Sequence, residues 1–263
     1  MRLARVRTPS GPRPVVQRDG EWRGIENLFA PTLRETGASW PVDGTVLVAP
    51  SEPRVVVGMS HNGSPDDRDR PPQAFLKSVR TVCGPGVPVV VDGGIGEVAI
   101  EGELALIIGS RARHLSRRDA LDAVLGITIA NDVTAVDQVA RDSLFTQAKN
   151  GDGFTPIGPW IETDFDASRL GIVVEVDGHI RASASTASLA WDVVEQLVYL
   201  SSVMQLGPGD VVLTGAPGTT VVVVPGQSGR IRIDGLGVLD NPIIAGPPRA
   251  ALPSRHRINS QED

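Results

Sequence analysis

A β-rich α+β fold is the architecture this sequence predicts, on three observations. Short alternating or continuous apolar runs recur along the chain. They are punctuated by 29 glycines and 21 prolines in 263 residues. Two segments carry helical periodicity, too few to supply the crossovers of a parallel α/β sheet.

Residues 1–50 hold three short β-like pieces, RLARVRT, RPVVQRD and GTVLVAP, parted by Pro and Gly. They read as a small β-rich N-terminal module. RVVVGMS (54–60) is a continuous apolar run, the kind of strand buried on both faces. HNGSPDDRDRPPQ (61–73) is polar, charged and without period, so a mobile lid-like loop is expected. LSRRDALDAVLG (115–126), with Ser116 as N-cap, predicts a helix, and GITIANDV (126–133) a strand running into a turn. RLGIVVEVDGHIRASAST (169–186) predicts a hairpin around Asp177-Gly178. SLAWDVVEQLVYLSSVMQLG (188–207) has the apolar spacing of an amphipathic helix that closes at Gly207. GDVVLTGAPG (209–218) and GRIRIDGLGVLDNPI (229–243) supply further strands. A main domain over 51–245 is followed by a Pro-rich polar tail, 246–263, expected to be disordered.

Hydrophobic residues make up 41% and charged residues 21% of the chain, enough to bury a sizeable core. The formal net charge of −6 gives no basis for a nucleic-acid partner. The single cysteine, Cys83, excludes an internal disulfide or a cysteine metal cage and reads as a small buried residue. No charged-then-apolar leader and no run of membrane-spanning length is seen, so a cytoplasmic protein with no membrane partner is expected.

The chemistry concentrates in AIEGELALIIG (99–109). On a strand, Glu101 and Glu103 project to one face and repel each other. One reading is a solvated edge strand. The other begins from the LALIIG that follows, which looks central and buried. Asp132 ends another apolar strand, either as a turn cap or as a third acid. Three carboxylates converging at strand ends make an all-oxygen site suited to Mg²⁺, Mn²⁺ or Ca²⁺.

These residues also carry a family resemblance. EGELALIIGSRARHLSRRDALDAVLGITIANDVTAVD, AKNGDGFTPIGPWI, LVYLSSVMQLGPGDVVLTGAPG and IDGLGVLDN, in that order, resemble the fumarylacetoacetate hydrolase superfamily. The resemblance implies a mixed β-roll/β-sandwich core with few flanking helices, and usually a homodimer. It implies Mg²⁺ (or Mn²⁺/Ca²⁺) held by Glu101, Glu103 and Asp132. Lys149, which on its own residues also reads as a solvated loop lysine, would contact substrate oxygens. Thr214 and Gly215 would stand at the substrate rim. The implied substrate is a small 1,3-dicarbonyl or 2-oxo acid, handled through a metal-stabilised enolate, with C–C bond hydrolysis the commonest outcome. The same intermediate supports isomerisation, decarboxylation, hydration or cyclisation, and a silent metal-binding scaffold is a further alternative.

Three positions depart from the family pattern. Hydrolytic members carry G-x-N-Y-x-x-H, often with a glutamate three residues later. Here, counting from Gly58, Ser64 occupies the histidine slot and Asp67 follows. His61, three residues early, is the nearest imidazole, readable as base or as loop residue. Ser64 is then a candidate substrate contact. Val136 occupies the arginine slot after the N-D turn, with Arg141 a few residues downstream, and Ala216 replaces a threonine. These changes point to a less polar substrate or to non-hydrolytic chemistry.

Overall fold

The structure is a computed structural model, and residues 1–249 are described. Of the three N-terminal pieces, GTVLVAP forms no strand and lies beside the first through the isolated bridge of Leu47 with Val6. The other two become β1 (Arg2–Val6) and β2 (Arg13–Arg18), which with β3 (Glu21–Ile25) and β4 (Glu35–Pro41) form an antiparallel meander. It is joined to the rest of the chain by backbone pairing, because Arg2 and Leu3 stand opposite Glu162 and Ile161.

Next come β5 (Val56–Ser60), β6 (Gln73–Lys77), β7 (Val82–Cys83), β8 (Val89–Gly93) and the long β9 (Val98–Ile108). β10 (Val124–Asn131), β11 (Thr134–Ala135), α1 (Val136–Val139), α2 (Thr146–Lys149) and β12 (Thr155–Glu162) follow. The last third holds β13 (Gly171–Val176), β14 (His179–Ser185), α3 (Val193–Val203), β15 (Val211–Leu213), β16 (Thr220–Val223), β17 (Ser228–Ile233) and β18 (Gly237–Pro248). One sheet runs β4-β3-β2-β1-β12-β10-β9-β15-β5-β6, with β11 and β16 also on β9 and β7 on β12. The second runs β14-β13-β17-β18-β8. The result is β-rich α+β with few helices, and among the described residues no helix is long and apolar enough to cross a membrane.

β9 is the spine. Its first half pairs with β11 and β16, its second half with β10 and β15. Leu104, Leu106 and Ile108 enter the core shared with Ile172, Val174 and Ile231 of the second sheet. Ala105 and Ile107 enter a separate core with Leu3, Ile157 and Leu213. Burial on both faces explains why LALII is continuous rather than alternating.

The Asp177-Gly178 hairpin forms as expected, with φ of 52° and 76° at its two turn residues. α3 also forms, although it begins later than the periodicity, at a capping box between Asp192 and Glu195, and ends at Val203 with Met204 as C-cap rather than at Gly207. Three further expectations need correction. The helix expected over 115–126 is absent: Leu121–Ala123 make one 3-10 turn and Val124 already begins β10 opposite Ile108. Pairing along the buried β9 outweighs the propensity of so short a segment. The lid-like loop is not structureless, because Pro65–Asp69 form a 3-10 helix capped by Ser64. The strand β18 continues through Pro248 beside Gly93, so 246–248 belong to the sheet. Of the expected tail, residues 250–263 lie outside the described residues.

Candidate functional site

The E-G-E sequence solves a packing problem where β9 changes pairing partners. A Cβ on Gly102 would meet Val174 Cγ2 at 2.7 Å, so only glycine lets the second sheet close on this face. The flanking glutamates then emerge together on the other face. Asp132 reaches them because Asn131 pairs with Gly102 and the Asp132 N–H donates to the Glu101 carbonyl at 3.0 Å. One carboxylate oxygen from each of Glu101, Glu103 and Asp132 lies within 4.8 Å of the others.

Two ammonium groups balance part of this charge. Lys149, closing α2, donates to Glu101 Oε2 at 2.9 Å, Asp132 Oδ2 at 2.6 Å and Thr134 Oγ1 at 2.6 Å. Lys77, closing β6, donates to Asp132 Oδ1 and to the Phe154 carbonyl at 2.7 Å. Sequence reasoning missed Lys77. The available signal was its phase in QAFLK, where it shares the buried face of β6 with Phe75.

Burial pushes the Glu101 carboxyl up, and the attraction of Lys149 only partly offsets this. Glu103 is pushed well up, by burial first and then by the like charges of Asp132 and Glu101. For Asp132 burial also acts upward, but the two ammoniums and their hydrogen bonds hold its carboxyl below the usual range. The two lysines part company. Burial lowers Lys77, which has Asp132 as its main partner, whereas on Lys149 burial is outweighed by Asp132 and Glu101, so its pKa rises.

The donor set fits a divalent cation. Glu103 is 2% exposed and sits beside two other acids, yet among the described residues no Lys or Arg forms an ion pair with it. Its one hydrogen bond there comes from the Gly215 N–H at 2.8 Å. Each carboxylate oxygen has two lone-pair directions, so the lysine bonds to Asp132 leave room for another electrophile. An all-oxygen trio of this kind suits Mg²⁺, Mn²⁺ or Ca²⁺.

The acids form the floor of a cavity of about 240 Å³. His61, Lys149, Asn62, Phe75, Phe145 and Ala216 also line it. His61 is exposed and has φ of 51°, a left-handed conformation rare outside glycine. The structure thus brings Glu101, Glu103, Asp132, Lys149 and His61 to one cavity. Ser64 and Thr214 are not among its lining residues. Ser64 Oγ accepts the Asp66 N–H, and Thr214 is fully buried with its hydroxyl donating to the Leu104 carbonyl. Gly215 contributes its N–H to Glu103 and its left-handed φ of 101° to a close approach against Asn62. Asp67 is engaged by the Gly63 and Ser64 N–H groups, at 2.9 and 3.1 Å, and so serves the lid's own turn. Neither Val136 nor Arg141 lines the cavity.

Fold and site together describe a β-roll protein with a cation-seeking carboxylate trio at the middle of its central strand. Residues 48–244 match the family model "Fumarylacetoacetate (FAA) hydrolase C-terminal". The chain belongs to the fumarylacetoacetate hydrolase family. Protein Rv2993c of Mycobacterium tuberculosis is 34% identical over 261 residues, 93% of this chain and 98% of that protein. The solved structure of a 5-carboxymethyl-2-hydroxymuconate delta-isomerase from Mycobacterium smegmatis superposes with a TM-score of 0.88 at 36% identity, covering 94% of this chain and all of that one. A maleylpyruvate hydrolase from Sphingobium sp. SYK-6, in complex with manganese(II) and pyruvate, superposes with a TM-score of 0.77 at 28% identity, covering 94% of this chain and 100% of that one. The family therefore includes both isomerases and hydrolases, and a relative of this fold holds a divalent metal.

Proposed function

We propose that this protein is a divalent-metal-dependent enzyme acting on a small 2-oxo acid or 1,3-dicarbonyl compound. The observation that carries the reading is the trio of Glu101, Glu103 and Asp132, converged in a cavity where, among the described residues, Glu103 has no ion-pair partner. When bound, the cation supplies Lewis-acid stabilisation of the enolate that forms on the substrate oxygens. The manganese and pyruvate in the maleylpyruvate hydrolase complex support that pairing of ion and ligand class.

The chain's own residues divide the remaining work. Glu101, Glu103 and Asp132 hold the ion, with the Gly215 N–H fixing Glu103 and Lys77 fixing Asp132. Lys149 stands at the cavity with its ammonium between Glu101 and Asp132, placed to meet a substrate oxygen. Among the described residues His61 is the one imidazole lining the cavity, and it moves the proton. Phe75 and Phe145 exclude water from one wall. We also hold the sequence's expectation of a homodimer and a small-molecule partner as part of this reading.

Isomerisation by proton transfer is the outcome favoured by the lid. The Ser64 and Asp67 side chains are spent on capping their own turn, which among the described residues leaves His61 as the lid side chain at the cavity able to carry a proton. Hydrolytic C–C cleavage is the second reading, supported by the hydrolase among the relatives, with His61 activating water. Two measurements test this. Pyruvate incubated with the protein and Mg²⁺ in D₂O should lose its methyl proton signal, and the exchange should vanish in Asp132→Asn. No exchange in the wild type would overturn the enolate reading. An acylpyruvate in ¹⁸O-water then separates the two outcomes, because label in the released acid requires hydrolysis.

A further inference from the structure

The cavity is asymmetric. Its floor is the carboxylate trio with Lys149, and its side is apolar: Met59, Phe75, Val139 and Phe145. Phe75 and Phe145 meet edge to face, with ring centroids 5.6 Å apart and planes at 88°. The wall is built with some care. A Cβ on Gly58 would lie 2.4 Å from Phe75 Cζ, so glycine there makes room for the ring. Phe145 is held at φ of 59°, a conformation an aromatic residue adopts only when its surroundings impose it. Among the described residues no arginine lines the cavity, and Lys149 is engaged by Glu101 and Asp132. A second carboxylate on the far end of a substrate would therefore find no free cation among the described residues, only exposed His61 and the neutral hydroxyls of Ser60 and Thr220, and on the apolar side it would lie against aromatic rings. Placing an unpaired carboxylate there is costly, whereas each buried methylene is favourable by about 0.8 kcal/mol.

We infer that the substrate carries one chelating 2-oxo-acid or dicarbonyl head and a neutral, apolar tail that packs against Phe75, Phe145 and Val139. This rests on the metal-dependent reading above and adds the substrate class to it. It also separates the chain from relatives whose names denote dicarboxylate or tricarboxylate compounds, such as the 5-carboxymethyl-2-hydroxymuconate isomerase.

A matched pair tests the inference, because butanoylpyruvate and succinylpyruvate differ only in a terminal methyl against a carboxylate. Both are assayed for kcat/KM on the Mg²⁺-loaded protein, and the Kd of oxalate, a head without a tail, is measured alongside. The expected result is oxalate binding together with at least about a tenfold preference for butanoylpyruvate, equivalent to about 1.4 kcal/mol. Val139→Arg should shrink or reverse that preference, since a guanidinium there can pair a tail carboxylate. Equal or better use of succinylpyruvate with oxalate still bound overturns the apolar-tail inference and leaves the metal reading standing. If that preference then disappears in His61→Gln, His61 is the clamp for a charged tail. Failure of oxalate to bind overturns both.

Discussion

Removing the Lys77 ammonium is the perturbation with the largest expected effect away from the metal. The side chain is 0% exposed and bonds Asp132 and the Phe154 carbonyl. Lys77→Met keeps most of the apolar stem and deletes the ammonium with its charge and its donated hydrogen bonds. The Phe154 carbonyl still accepts the Val133 N–H at 3.1 Å, so it is not orphaned. Asp132 loses one of two cations and keeps Lys149 at 2.6 Å. Breaking a buried pair by removing one partner costs about 3–5 kcal/mol, and the surviving Lys149 places this case near about 3. For a chain of this size that corresponds to a fall in Tm of roughly 6–12 °C. Urea unfolding of the wild type, Lys77→Met, Asp132→Asn and the double variant provides the assay. The double variant should be less destabilised than the sum of the singles, because the neutral amide no longer needs the ammonium. A Lys77→Met cost below about 1 kcal/mol, or strict additivity, would refute the reasoning.

Three smaller effects follow from other parts of the structure. Gly215→Ala forces a Cβ to 2.6 Å from the Asn62 carbonyl oxygen at φ of 101°; it should cost at least about 2 kcal/mol in urea unfolding and weaken the Mg²⁺-induced rise in Tm. Burial acts upward on Glu195, but the bond from Arg68, the Asp192 N–H and the nearby guanidiniums hold its carboxyl below the usual range. A depressed folded-state pKa stabilises above the unfolded value of about 4.3 and is lost as pH falls through the folded one. Glu195→Gln should therefore be less stable than wild type at pH 7, by under about 1 kcal/mol for so solvated a pair, and the gap should narrow progressively as pH falls below the unfolded-state value. Cys83 is pushed up to about 12 by burial, so iodoacetamide at pH 8 should modify it at least about 100-fold more slowly in the folded than in the urea-unfolded protein.

Much of the site was legible because strand alternation is a strict rule. Two glutamates flanking a glycine must share a face, and the apolar continuation after them weighed against a solvated edge without deciding it. Asp132 read equally as a turn cap, and its grouping with the glutamates as metal ligands came from the family resemblance; the structure brings the three carboxylates together. The counter-charges were harder to see, since Lys77 is brought to Asp132 by the pairing of β6 with β5, a contact that no local pattern encodes. Thr214 shows the converse. Its motif places it beside the site, but its hydroxyl is turned to the Leu104 carbonyl, and the neighbouring Gly215 N–H makes the contact that matters. The segment 115–126 misled because capping and apolar spacing are local, whereas the β10 pairing that overrode them spans the sheet. In the lid, composition suggested disorder, but Ser64 and Asp67 form a reciprocal capping pair that orders the turn.

Mn²⁺ binding, followed by electron paramagnetic resonance and calorimetry, tests the central claim most directly. The account predicts one ion per chain, competition by Mg²⁺, and a rise in unfolding free energy of about 2.7 kcal/mol at a free-ion concentration one hundred times Kd. Asp132→Asn, still folded by circular dichroism, should lose both the bound signal and the stabilisation. A wild-type protein that binds no Mn²⁺ at millimolar concentration, or a variant that binds it unchanged, would contradict a metal centre built from Glu101, Glu103 and Asp132.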